Sequence, residues 1–92
     1  MRQFRKVEIE RRAAYAGLCN IEDVARISRD KRVITMRHVW NDRTDARAWD
    51  VIRRELHTTA CELARRTRNA VSVYAKDGYM IDHVYPDTEF QY

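Results

Sequence analysis

A chain of 92 residues suffices for one domain (1–92) with a small core, and 45% hydrophobic residues with only two Gly and one Pro exclude a disordered or low-complexity chain. The net charge of +4 rests on fifteen Arg and three Lys, concentrated in residues 1–69, while residues 70–92 are net acidic. No apolar run is long enough to span a bilayer, and the charged start Met1-Arg2-Gln3-Phe4-Arg5-Lys6 is not a signal peptide, so a cytoplasmic protein, in a cell or a host cell, is expected.

In residues 3–16, Phe4, Val7, Ala14 and Leu18 recur at helical steps if Arg11 lends its aliphatic stem, Glu8 and Arg12 form an i,i+4 pair, and Gly17 supplies a helix end. A helix is expected there, against a short strand suggested by the alternation around Val7 and Ile9. Residues 21–41 read two ways. As strands, Val24–Ser28 and Val33–Trp40 flank the charged turn Arg29-Asp30-Lys31-Arg32, with the β-branched triplet Val33-Ile34-Thr35 favouring this reading. As helices, Asn20 caps a turn starting at Ile21, and a second helix follows from about Arg32.

The clearest element starts at Asp42 or Thr44 and runs to about Arg68. Trp49, Ile52, Leu56, Ala60 and Leu63 form an apolar stripe widened by Ala48, Val51 and Ala64, with Asp50–Arg54 and Glu62–Arg66 as i,i+4 pairs. Arg65, Arg66 and Arg68 suit the negative end of the helix dipole, and Asn69 tolerates the left-handed backbone that leaves it.

The last element is a hairpin: Val71–Ala75 and Tyr79–Val84 around Lys76-Asp77-Gly78, closed by Pro86. A two-residue turn would put Asp82 with Val71, Val73 and Val84. A type I turn with Gly78 in a G1 bulge groups Val71, Val73, Ala75, Tyr79, Ile81 and His83 instead, and this more apolar register is expected. The predicted fold is α+β: a small antiparallel sheet of two hairpins packed by one long amphipathic helix, plus an N-terminal helix.

Motifs for catalysis are sparse. The two glycines are too far apart for a phosphate loop, Cys19 and Cys61 have no metal spacing, and no cofactor motif is found, so a non-enzyme is expected. His57 and Cys61 stand at i and i+4 on the long helix, a spacing that suits two metal ligands or a thiol–imidazole pair but shows no third member. His38 and His83 stand alone.

Arg26, Arg29, Lys31, Arg32 and Arg37 cluster around the first turn, with Asp30 weakening their field. Arg53, Arg54, Arg65, Arg66 and Arg68 give a second basic surface, partly neutralised by Asp50 and Glu62. Of these, Arg53 and Arg54 join the five residues of the first cluster as candidates for phosphate contacts or an acidic partner. Ile21-Glu22-Asp23-Val24-Ala25-Arg26-Ile27 resembles the first helix of the helix-turn-helix in lactose-repressor-type regulators, and Thr35–Asn41 is similar to the end of the recognition helix. That resemblance implies that Arg32, Thr35 and Arg37 face a groove. The chain departs from the pattern at Arg29 in place of the turn glycine, by one extra residue between the halves, and by the β-branched triplet in the second helix.

Tyr74, Met80, Tyr85, Phe90 and Tyr92 are candidates for a protein interface, with Tyr74 and Met80 on the outer face of the second hairpin beside Asp82, Asp87 and Glu89. An exposed edge strand there would allow a homodimer. Three functions fit. The first is a non-catalytic nucleic-acid-binding protein with an Arg-rich face. The second is a phage- or plasmid-type inhibitor that blocks a host protein or nucleoprotein complex, in a counter-defence or anti-CRISPR-like role. The third is a small ribonuclease-like toxin.

Overall fold

The computed structural model describes Ile9, residues 20–39 and residues 42–87, the last segment with its side chains from Ala46 onward. The N-terminal helix expected at 3–16 lies outside these residues except at Ile9, which is helical and 1% exposed in the core. Cys19, Trp40, Phe90 and Tyr92 also lie outside them.

Both readings of residues 21–41 contribute. Asn20 caps a single helical turn, α1 (Ile21–Val24), its side-chain oxygen accepting from the Glu22 amide. The chain then extends into β1 (Ala25–Ile27), turns, and returns as β2 (Val33–Met36), where Val33, Ile34 and Thr35 suit the pleated backbone. Strands therefore occupy Ala25–Ile27 and Val33–Met36 within the helix-turn-helix resemblance, and among the described residues no recognition helix forms. The helix α2 (Asp42–Thr67) follows, then β3 (Val71–Tyr74) and β4 (Met80–Val84).

The four strands form one sheet in the order β1-β2-β3-β4. Each hairpin is antiparallel, but the two join through a parallel β2–β3 pair, so the sheet is mixed rather than antiparallel throughout. The cause is α2. A helix of 26 residues carries the chain about 39 Å back along the sheet, so β3 starts at the same end as β2.

One face of the sheet holds the core. Val24, Ala25, Ile34, Met36, Val71, Val73 and Val84 pack against Ala48, Ile52, Leu56, Ala60, Cys61, Leu63 and Ala64 of α2. The helical stripe is turned slightly from the expected one: Ala48 is fully buried, whereas Trp49 and Val51 are half-buried at its margin. The helix ends at Thr67, and Arg68 rather than Asn69 takes the left-handed backbone, with φ 60°. The Asn69 side-chain Nδ2 instead donates to the Thr67 carbonyl.

The second hairpin contains two irregularities, and together they reconcile the alternative registers. The Gly78 amide donates to the Ala75 carbonyl and Gly78 has φ 94°, the expected type I turn with a G1 bulge. Tyr74 pairs with Met80, as that turn requires, but Val73 pairs with Asp82. Ile81 is thus an extra residue, a second bulge that shifts the rest of β4 by one. Val84 and Asp82 now face the helix, while His83, expected on the core side, is exposed on the outer face. Tyr79, also expected inward, is 73% exposed at the turn.

Candidate nucleic-acid interface

The β1–β2 turn is built by its own polar side chains. The Ser28 hydroxyl donates to Asp30 Oδ1 at 2.6 Å and accepts from the amides of Arg32 and Val33. Asp30 Oδ1 also accepts the Arg32 amide at 3.1 Å. These bonds hold the Asp30 carboxyl below the ordinary aspartate range, the Ser28 hydroxyl contributing most and the Arg32 amide next. Asp30 is therefore turned onto the turn's own donors, while Arg29, Lys31 and Arg32 are exposed. Lys31 has φ 64°, a left-handed conformation that costs a side-chain-bearing residue about 1 kcal/mol.

This turn meets the end of α2. The Arg32 guanidinium donates to Asn69 Oδ1 at 3.3 Å, and the Ser72 amide donates to the Arg32 carbonyl. Arg29, Lys31, Arg32 and Arg68 thus gather at the pole of the molecule where β2 and β3 begin, and Arg66, in the last turn of α2, is exposed near it. The sequence places Arg68 in a second basic surface with Arg53 and Arg54; the parallel pairing of β2 and β3 sets it instead at the pole of the first turn.

The other expected basic residues divide. Arg26 is exposed on the open face of the sheet, paired with Thr35. Arg37 lies at the far end of β2, where its Nε donates to the carbonyls of Glu22 and Ala25 and fastens α1 to β1. Arg53 and Arg54 both reach Asp50, at 3.3 and 3.2 Å, on α2, away from the open face. The seven residues form no single patch.

Of the aromatic candidates, Tyr74 and Met80 pair on the outer face as expected, half-buried and 47% exposed, and Tyr85 is 57% exposed. Asp82 does not join them. Its Oδ2 lies 2.6 Å from His57 Nδ1, and His57 Nε2 lies 3.5 Å from Cys61 Sγ. The missing third member of the His57–Cys61 pair is this aspartate, delivered by the Ile81 bulge. The row resembles a thiol–imidazole–carboxylate relay, but the Cys61 residue is 1% exposed, and burial pushes its thiol up, with the Asp82 charge adding to the rise. Arg53, Leu56, His57, Ile81 and Asp82 line a cleft of about 210 Å³, which the thiol does not reach. The arrangement ties β4 to α2 and keeps the thiol out of a substrate's reach in this conformation.

At the pole opposite the basic turn, Met36, Val39, Trp49, Tyr79, Met80 and Ile81 line most of an open groove of about 410 Å³. Among the described residues no group of three or more His, Cys, Asp and Glu side chains can hold a metal ion, and no helix is long and apolar enough to cross a membrane. No protein-family model, curated protein or solved structure matches the chain.

Proposed function

We propose that this is a non-catalytic nucleic-acid-binding protein that grips the phosphate backbone with its basic pole. The observation that carries this reading is the convergence of Arg29, Lys31 and Arg32 from one turn with Arg68 from the end of α2. Two of these four stand at left-handed positions, where glycine would relieve the backbone and supply no charge. Guanidinium groups make planar bidentate contacts with phosphate, and a fixed turn lowers the ordering cost of making them.

The test is binding of the purified protein to labelled duplex DNA, single-stranded DNA and RNA at two salt concentrations. Four phosphate contacts would give a log–log salt slope of about −3 to −4. Arg29→Ala with Arg32→Ala should reduce both the affinity and the slope. Unchanged binding in that double variant would remove the basic pole from the interface.

A second reading, a phage- or plasmid-type inhibitor of a host protein or nucleoprotein complex, is favoured by the apolar groove with exposed Val39, Tyr79 and Met80. Such a partner would bind with a shallower salt dependence. Complex formation lost on Tyr79→Ala and kept in the Arg29/Arg32 double variant would select this reading.

A further inference from the structure

The face of the sheet turned away from α2 has its own chemistry. Its side chains stand in two cross-strand rows. Arg26, Thr35, Tyr74 and Met80 form one, running across all four strands by direct pairing. Val33, Ser72 and His83 form the other, one step nearer the basic pole. Arg26, Met80 and His83 are exposed, while Val33, Thr35, Ser72 and Tyr74 are half-buried. Thr35 beside Tyr74 and Ser72 two residues before it are short, so the tyrosine ring is the largest group in the middle of the sheet.

His83 is held in place. Its Nδ1 lies 2.7 Å from the Ser72 hydroxyl, and its ring meets Tyr85 edge-on, with centroids 4.9 Å apart and planes at 81°. A pre-set imidazole beside an exposed tyrosine extends the aromatic surface from Tyr74 toward the Arg29–Lys31–Arg32 turn. The Ile81 bulge makes this possible, since the register without it would have turned His83 to the helix.

Resting on the nucleic-acid reading, we infer that this face is a stacking platform for unpaired bases and that the ligand is single-stranded nucleic acid. A shallow face of four strands is about 14 Å wide, room for two or three nucleotides. Bases in a duplex stack on one another and show only their edges in the grooves, so a tyrosine face on a flat sheet has nothing to stack against there. A single strand splays its bases onto aromatic rings while cations follow its phosphates. Arg26 at one end of the Tyr74 row and the basic turn beyond Val33 and Ser72 supply cations along two sides of the platform.

The test is fluorescence anisotropy with a labelled short oligouridylate, an oligothymidylate and a duplex of equal length, at two salt concentrations. Tyr74→Leu keeps apolar bulk on the strand and loses the aromatic face, and Tyr74→Phe keeps the ring. Circular dichroism and a thermal melt confirm that each variant is folded. The expected result is tighter binding of single strands than of duplex, a loss of roughly tenfold in Tyr74→Leu with an unchanged salt slope, and wild-type affinity in Tyr74→Phe. Preference for the duplex, or indifference to Tyr74→Leu while the Arg29/Arg32 double variant still weakens binding, would overturn the platform and leave the nucleic-acid reading standing. No binding of any of the three probes at low salt would overturn both.

Discussion

His57 Nδ1 on the long helix and Asp82 Oδ2 on the bulged strand lie 2.6 Å apart. Asp82 pairs with Val73, which pairs with Ile34, and Ile34 pairs with Ile27, so the carboxylate ends an otherwise apolar row under the helix. Its second oxygen accepts the His83 amide at 2.9 Å, which satisfies the backbone just after the bulge. A carboxylate on the core side of a sheet is tolerated only with such partners.

Removing Asp82 therefore exposes what the pair contributes. Asp82→Ala should destabilise the fold by about 1–2 kcal/mol, and a double-mutant cycle with His57→Ala should return a coupling of about 1 kcal/mol in urea titrations. A coupling near zero would show that the two side chains act independently.

The core substitutions should rank by burial. Leu56 is 1% exposed among strand and helix side chains, and Leu56→Ala should cost about 2–5 kcal/mol. Trp49 is half-buried beside the apolar groove, so Trp49→Ala should cost less in spite of the larger side chain. Thermal or urea unfolding of the two variants side by side tests the order, and a reversal would move the core toward the groove.

Gly78 isolates backbone strain from packing. At φ 94°, an added Cβ meets no atom within 4 Å. Gly78→Val should cost about 1–2 kcal/mol through the left-handed backbone alone, and Gly78→Asn markedly less, because Asn visits that region more readily. Equal melting temperatures for the two variants would remove the bulge from the turn.

Arg68 separates stability from binding. Its φ of 60° means that Arg68→Gly should hold stability constant or raise it by up to about 1 kcal/mol. The same change should weaken nucleic-acid binding and reduce the magnitude of the salt slope by about 1. A less stable variant with unaltered affinity would assign Arg68 a purely structural part.

The Asp30 turn should show acid dependence of one sign. The folded carboxyl titrates below its unfolded value, so the turn gains stability above about pH 4, and this is lost as pH falls through the lower folded value. Carboxyl titration by NMR should place Asp30 below an ordinary aspartate. Ser28→Ala should move it back up, since the Ser28 hydroxyl is the largest cause of the shift. An Asp30 value indifferent to Ser28→Ala would sink this account of the turn.

Local chemistry made much of the chain legible. The apolar steps from Ala48 to Ala64 specify a helix, Val33-Ile34-Thr35 a strand, and Asp77-Gly78 the G1 turn, because side-chain period and backbone preference act over a few residues. Tyr74 and Met80 could be assigned a common face on the same grounds. Tertiary structure alone decided the rest. The parallel β2–β3 pairing depends on how α2 crosses the sheet, and it is this that brings Asn69 to Arg32 and sets Arg68 at the same pole. The extra residue at Ile81 has no turn signal of its own. It is set by the match between β3, β4 and the helix above them, where Val84 fills the core and Asp82 finds His57. Propensity sets what each segment becomes, whereas register and convergence are settled by packing between segments far apart in the chain.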